Sequence, residues 1–290
     1  WLTFEKPCSE RSFDETVKFV ANLTSLSPSF LACLNHTFML ACSLFSCIII
    51  ASIKQALRSN LELNYKGEKY IKSLAFDYIL EDEQEKRDQT SINEWFKHAK
   101  KLGLSDVRFA TNLAVSSKER SLQGFSNVSH KSIICIYKDK MSYFVPHWSF
   151  EEDKKGWDIV YKEFSLDGTP EIQKFSDNTL EFKDILTKIA TFADEIECEN
   201  FGDCFRKGLK ALNEPENIEQ NVLNAPLMPK LNLALFAAAS AADVFGGMGS
   251  WNDDAAGWAQ HKKRGKEYDE LSSELFTQMR KATLFAINEW

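Results

Sequence analysis

The chain has 290 residues, of which 44% are hydrophobic and 27% charged, and its formal net charge is −7. This composition, with only 12 glycines and 7 prolines, excludes collagen-like and disordered chains and predicts one large core or two smaller ones. Residues 1–168 carry 22 basic and 22 acidic side chains, whereas residues 169–290 carry 13 and 20. Because nucleic acid binding needs a dense basic surface, this distribution disfavours nucleic acid. The acidic excess fits a basic protein partner, and solubility alone explains it equally well.

A long uncharged stretch runs from Phe19 to Ile53. Ser27 and Pro28 have the form of a helix start, with a capping hydroxyl followed by proline at the first helical position. A membrane span over 28–53 is one interpretation, but a span needs about 20 apolar residues and the unbroken apolar run is shorter. We therefore expect a buried central helix that reaches about Leu57, and no membrane partner.

Further helices are expected up to about residue 100. Apolar side chains recur at helical spacing between Tyr70 and Tyr78, and the charged run Glu81–Asp88 fits an exposed helix end or loop. Ser91-Ile-Asn-Glu94 has the form of a capping box that opens an amphipathic helix, which Gly103 ends. The first hundred residues are therefore predicted to be helical.

The apolar period changes to two after residue 130. Residues 131–138, 141–148 and 157–164 alternate and are separated by short polar connections, which predicts a three-stranded antiparallel meander. The fold class is therefore predicted as α+β: mostly helical, with a small three-stranded antiparallel sheet near the middle.

Leu166-Asp-Gly-Thr-Pro170 is the strongest boundary signal and coincides with the change in charge. We expect one domain at 1–168, with the apolar helix and the meander, and a second at 169–290. The second is predicted to be an acidic helical module with a glycine-rich loop. Its densest acidic cluster fits a solvated face that a basic partner could use, and it comprises Asp194, Glu195, Glu197, Glu199 and Asp203.

The seven cysteines are an odd number, and three of them lie in one apolar stretch. Such cysteines are typical of buried thiols in a reducing compartment. We therefore expect a cytoplasmic protein.

The glycine-rich loop Val244–Asp254 reads Val-Phe-Gly-Gly-Met-Gly-Ser-Trp-Asn-Asp-Asp. No Lys-Ser/Thr pair follows its glycines and no strand pattern precedes it, which argues against a phosphate-binding loop. In a structural interpretation, Gly246 and Gly247 end a helix while Met248 and Trp251 pack in the core. In a functional one, Trp251 is a partly exposed anchor for a protein partner. The binding residues would then be Met248, Trp251, Asn252, Asp253 and Asp254.

The segment Phe245–Asp253, followed by Tyr268–Leu275, resembles the tail of small uncharacterised bacterial proteins, some of them associated with toxin-immunity gene neighbourhoods. The resemblance covers only this C-terminal part of the chain. It implies a non-enzymatic, immunity-like interaction role and carries over no site residues.

The alternative function is a papain-like cysteine hydrolase. Such folds place the nucleophilic cysteine near the start of a buried helix and the histidine at the start of a strand, positions that Cys33 and His130 could occupy. No family signature flanks Cys33, and buried thiols are usually unreactive. No CxxC or HExxH spacing occurs, so neither a metal nor a cofactor is expected.

Overall fold

The computed structural model describes residues 45–65, 71–80, 86–111, 131–151, 156–166, 171–218, 228–246 and 249–290. Within these ranges the chain forms seven α-helices and one six-stranded sheet. The strands are β1 (Ile71–Ile79), β2 (Arg87–Ser91), β3 (Asp106–Thr111), β4 (Lys131–Ile136), β5 (Met141–Glu151) and β6 (Gly156–Ser165). The helices are α1 (45–58), α2 (Ile92–Lys101), α3 (Thr179–Glu195), α4 (Glu199–Asn213), α5 (Lys230–Ala242), α6 (Ala256–His261) and α7 (Gly265–Asn288).

The sheet has the strand order β2-β1-β6-β5-β4-β3. All neighbouring strands are antiparallel except β1 and β6, which are parallel. The prediction of a small three-stranded antiparallel sheet is therefore wrong. The predicted meander exists as β4–β6, but it is part of a mixed sheet to which β1, β2 and β3 add three strands. The fold is α+β and rich in helix.

β1 replaces the helix predicted around residues 70–78. The strand lies between β2 and β6 and turns Phe76 and Tyr78 towards the core, while Ala75 and Ile79 on the other face are half-buried. Because both faces of β1 carry apolar side chains, the sequence does not show the alternation that is typical of a strand. Its apolar residues instead fall at a spacing that also fits a helix.

β2 and β3 lie at the two edges of the sheet, and their sequences show little of the alternation that predicts a strand. β2 reads Arg-Asp-Gln-Thr-Ser and has no fully buried residue. Short, charged edge strands are a common protection against unwanted pairing. β3 is only six residues long, and Val107 and Phe109 alone show its alternation.

Helix α2 confirms the capping signal at Ser91. The Ser91 hydroxyl accepts a hydrogen bond from the Glu94 main-chain N–H at 3.3 Å. The helix then places Trp95 against the sheet, where its ring stacks on Phe76 at 4.4 Å and meets Phe144 edge-on at 5.2 Å. This aromatic group forms the centre of the core on that face.

Helix α1 is the described part of the predicted central helix, and it is buried on almost every side. Of residues 45–56, only Ser52 and Gln55 are half-exposed. The Ser46 hydroxyl bonds the Tyr161 hydroxyl of β6 at 2.9 Å, and the opposite end of the helix reaches residues that follow α7. α1 therefore lies between the sheet and the C-terminal helices. No helix among the described residues is long and apolar enough to cross a membrane.

The C-terminal helices pack in pairs: α3 on α4 and α7, and α5 on α4 and α7. Their buried side chains belong to the same hydrophobic cluster as those of α1, α2 and the sheet. The sheet ends at Ser165, just before the predicted boundary, and every helix from α3 onwards follows it.

The end of α7 covers the outer edge of β3. The Asn288 side chain, only 2% exposed, accepts a hydrogen bond from the Phe109 N–H at 2.7 Å and donates one to the Phe109 carbonyl at 2.9 Å. A carboxamide that pairs with both groups of one residue substitutes for a neighbouring strand. Asn288 therefore fastens the helical layer to the sheet and closes part of its edge.

A buried ion pair reinforces this joint. The Lys54 ammonium, which is almost fully buried, donates to Asp106 Oδ1 at 2.7 Å and to the main-chain oxygen of Trp290 at 3.3 Å. Burial lowers the pKa of Lys54 below its usual value, and the hydrogen bond to Asp106 opposes this shift. The polar contacts of Lys54 thus connect α1, β3 and the segment after α7.

Candidate functional site

Trp251, the central residue of the predicted binding loop, is completely buried. Its indole N–H donates to the Ser272 hydroxyl at 2.7 Å, and its carbonyl accepts from the Tyr268 hydroxyl at 2.8 Å. Four aromatic rings surround it with centroids 5.2–6.4 Å away, those of Phe192, Phe201, Phe205 and Tyr268. The expectation of a partly exposed Trp251 is therefore not met, because α3, α4 and α7 close around the ring.

The polar residues after Trp251 lie on the surface. Residues Trp251–Ala255 form one π-helical turn, a geometry that is frequent at functional sites. Within it Asn252 is half-buried, whereas Asp253 and Asp254 are exposed. Asp253 Oδ2 accepts a hydrogen bond from the Gly249 N–H at 2.9 Å, and Gly249 has a φ of +77° that favours glycine. The buried indole thus holds a turn that points two carboxylates outwards.

Met248 and the glycines of this loop precede Trp251 in the chain. Met248, with Gly247, lies outside the residues that the structure describes. Gly246 is buried, and it does not end α5, because that helix already ends at Ala242. The glycines therefore belong to the connection between α5 and the π-helical turn.

Trp258 is the exposed tryptophan of this region, with 44% of its surface accessible. It lies in α6, four positions after Asp254, so the two side chains share one face of continuous helical backbone. The His261 ring approaches Trp258 edge-to-face at 6.0 Å. Trp258 is not among the binding residues predicted from the sequence. The available signal was one large aromatic residue among small ones in Ala-Ala-Gly-Trp-Ala.

Four of the five carboxylates of the predicted acidic cluster at the α3–α4 junction form ion pairs within the chain. Asp194 and Asp203 both bond Arg206, at 2.9 and 2.8 Å. Glu195 pairs with Arg264, and Glu197 pairs with Lys262 at 2.7 Å. These contacts weaken the case for this cluster as a docking surface, because the basic side chains that a partner would supply are already present.

Asp253 and Asp254 differ from that cluster. No Lys or Arg of the described ranges forms an ion pair with either carboxylate. Desolvation of the carboxyl group, and then the neighbouring charge of Asp253, raises the pKa of Asp254 above its usual value. Among the described residues, an exposed pair of carboxylates without an ion-pair partner therefore lies about one helical turn from an exposed indole. We call Asp253, Asp254 and Trp258 the α6 surface.

The chemistry of the hydrolase alternative falls outside the described part of the chain. Cys33 and His130 both belong to residues that the structure does not describe, so this hypothesis stays a prediction. Among the described cysteines, burial raises the pKa of Cys135 well above its usual value and that of Cys198 to about 11. Such thiols are poor nucleophiles at neutral pH. The described residues also contain no group of three or more His, Cys, Asp or Glu side chains that could hold a metal ion.

Comparisons with known proteins assign no family to this chain. A scan against protein-family models, a search of curated proteins and a search of solved structures each found no match. The resemblance of Phe245–Asp253 and Tyr268–Leu275 to immunity-associated bacterial proteins stays a prediction. A role for the chain therefore has to follow from its own residues.

Proposed function

We propose that this chain is a non-enzymatic protein-binding protein, of an immunity-like kind, and that it binds a basic partner through the α6 surface. The observation that carries the proposal is the exposed Trp258 beside two carboxylates with which no Lys or Arg of the described residues forms an ion pair. Tryptophan is enriched among the anchors at the centre of protein interfaces, and charged groups around such an anchor attract a partner of opposite charge.

Contacts beneath and beside the α6 surface hold it in one conformation, which favours binding of a partner to a rigid site. Trp251 fixes the π-helical turn from below with two buried hydrogen bonds. Downstream of α6, Lys262 and Arg264 bind Glu197 and Glu195 near the α3–α4 junction. Both ends of the segment that carries the α6 surface are therefore held in place, which reduces the entropy that binding must overcome.

Affinity capture with the immobilised full chain tests the proposal. We expect the wild-type chain to retain a basic protein. Trp258→Ala should weaken the affinity for that protein about thirtyfold, since an interface anchor contributes about 2 kcal/mol or more. Asp254→Asn should weaken capture as well, and more strongly at low salt. Leu180→Ala and Glu216→Gln, which change exposed residues outside the α6 surface, serve as controls.

An immunity-like role adds a functional measurement. If the captured partner inhibits growth when it is expressed alone, co-expression of the wild-type chain should restore growth and the Trp258→Ala variant should not. Equal capture by wild type, both α6-surface variants and both controls would contradict the proposal.

A further inference from the structure

Resting on the proposed function, the geometry points to a specific chemical group on the partner. The α6 surface is a receptor for an arginine side chain, with the guanidinium plane stacked on the Trp258 indole and paired with the Asp254 carboxylate.

The spacing of the α6 surface fits a flat cation that reaches both groups together. Asp254 and Trp258 are four positions apart on helical backbone, where side chains lie close to one another along one face. Asp253 already accepts the Gly249 N–H with one oxygen, so the Asp254 carboxylate is the better placed acceptor for two parallel N–H donors. An arginine that lies on Trp258 would direct its guanidinium edge towards Asp254.

The local charge leaves this position open to a cation from outside. Of the basic side chains that follow α6, Lys262 and Arg264 are engaged with Glu197 and Glu195, and the exposed Lys263 forms no ion pair with Asp253 or Asp254. His261 contacts Trp258 edge-to-face and leaves much of the indole accessible. Desolvation of the carboxyl group and the adjacent charge of Asp253 raise the pKa of Asp254, and an incoming guanidinium would oppose this shift.

The same chain shows this mode of arginine binding internally. The Arg264 guanidinium lies 4.8 Å from the centre of the Phe192 ring and bonds the carboxylates of Glu195 and Glu267. Arg58 lies 4.9 Å from the centre of the Trp290 ring. The α6 surface reproduces the aromatic and acidic parts of the Arg264 arrangement without the arginine.

Physical chemistry favours arginine over lysine at such a surface. A guanidinium is planar and weakly hydrated, so it stacks on an indole and pairs with a carboxylate at a low cost of desolvation. An ammonium is strongly hydrated and binds as a point charge. A neutral side chain of the same shape, such as citrulline, keeps the stacking geometry and loses the charge.

The test is an NMR titration of the full chain with three short glycine-flanked peptides that contain arginine, lysine or citrulline. We expect the arginine peptide to shift the Trp258 indole signal saturably, at least about fivefold tighter than the lysine peptide, and the citrulline peptide to shift it little. The indole signal is assigned by its absence in Trp258→Phe. Asp254→Asn should weaken arginine binding about tenfold, whereas Glu216→Gln should leave it unchanged.

Equal binding of the arginine and lysine peptides, or no saturable shift by arginine, overturns the inference. Thermal unfolding of each variant shows that the fold is retained, as expected for exposed positions. The two proposals fail differently. If a captured partner depends on Trp258 but tolerates replacement of its arginines by lysine, arginine recognition is wrong and protein binding stands. If no partner depends on Trp258 while the arginine peptide binds, the receptor stands and the immunity-like role falls.

Discussion

Replacement of Asn288 by alanine tests how the helical layer is joined to the sheet. The change removes the hydrogen bonds at 2.7 and 2.9 Å that satisfy the N–H and carbonyl of Phe109 on the edge of β3. Each unsatisfied buried polar group costs about 1–3 kcal/mol, and Asn288→Ala leaves two of them. Because water has partial access to a sheet edge, we expect the free energy of unfolding to fall by about 2–4 kcal/mol. Urea unfolding measures it as a lower midpoint with an unchanged slope.

Two further variants separate the loss of these hydrogen bonds from unspecific effects of substitution. Asn213→Ala changes an exposed asparagine at the end of α4 and should leave stability almost unchanged. Asn288→Asp accepts from the Phe109 N–H but repels its carbonyl unless the carboxyl is protonated. The pKa of this carboxyl should therefore be raised in the folded state, and the deficit against wild type should grow as pH rises from 4 to 7. A loss below about 0.5 kcal/mol for Asn288→Ala would refute the proposed joint.

Three other predictions concern the segment around α6. Trp251→Phe and Ser272→Ala should each destabilise by about 1–3 kcal/mol, and the double variant by less than their sum, because each single change leaves one buried partner unsatisfied. Asp254→Asn should stabilise the chain at pH 7 and not near pH 3.5. The pKa of Asp254 is raised in the folded state, so ionisation of this carboxyl destabilises the fold as the pH rises above the pKa of the unfolded chain; thermal unfolding at both pH values measures this. Gly249→Ala should cost about 1 kcal/mol because its φ is positive, whereas Gly257→Ala, with space around its Cβ, should be neutral or stabilising; equal midpoints in urea for the two alanine variants would disprove the backbone argument.

Local signals in the sequence predicted several elements because their causes are local. Ser91 and Glu94 are three positions apart, and one hydrogen bond between them starts α2. β4–β6 form a meander in which successive strands pair, so alternation and short turns are sufficient to identify them. The helical character of the C-terminal part follows from the same kind of periodicity.

The errors arose where long-range contacts decide the structure. β1 pairs with β2 on one side and with the distant β6 on the other, and no local sequence pattern predicts this arrangement. The choice between Trp251 and Trp258 is similar. Trp251 is followed by polar residues and Trp258 lies among small ones, so the local sequence does not indicate that Trp251 is the buried one. Its burial depends on distant rings, among them Phe201 and Phe205 of α4.

The parallel pairing of β1 with β6 affects the order in which this protein is able to fold during synthesis. The Ser73 hydroxyl of β1 donates to Asp158 of β6, 85 positions later in the chain. The ribosome therefore synthesises β1 long before β6. The Phe76 ring can stack on the Tyr161 ring, 5.0 Å away in the folded protein, only after β6 has been made. Proteins dominated by such distant contacts fold slowly. A nascent chain that stops before Gly156 would carry an apolar strand with one open side, which is the form that chaperones and proteases recognise.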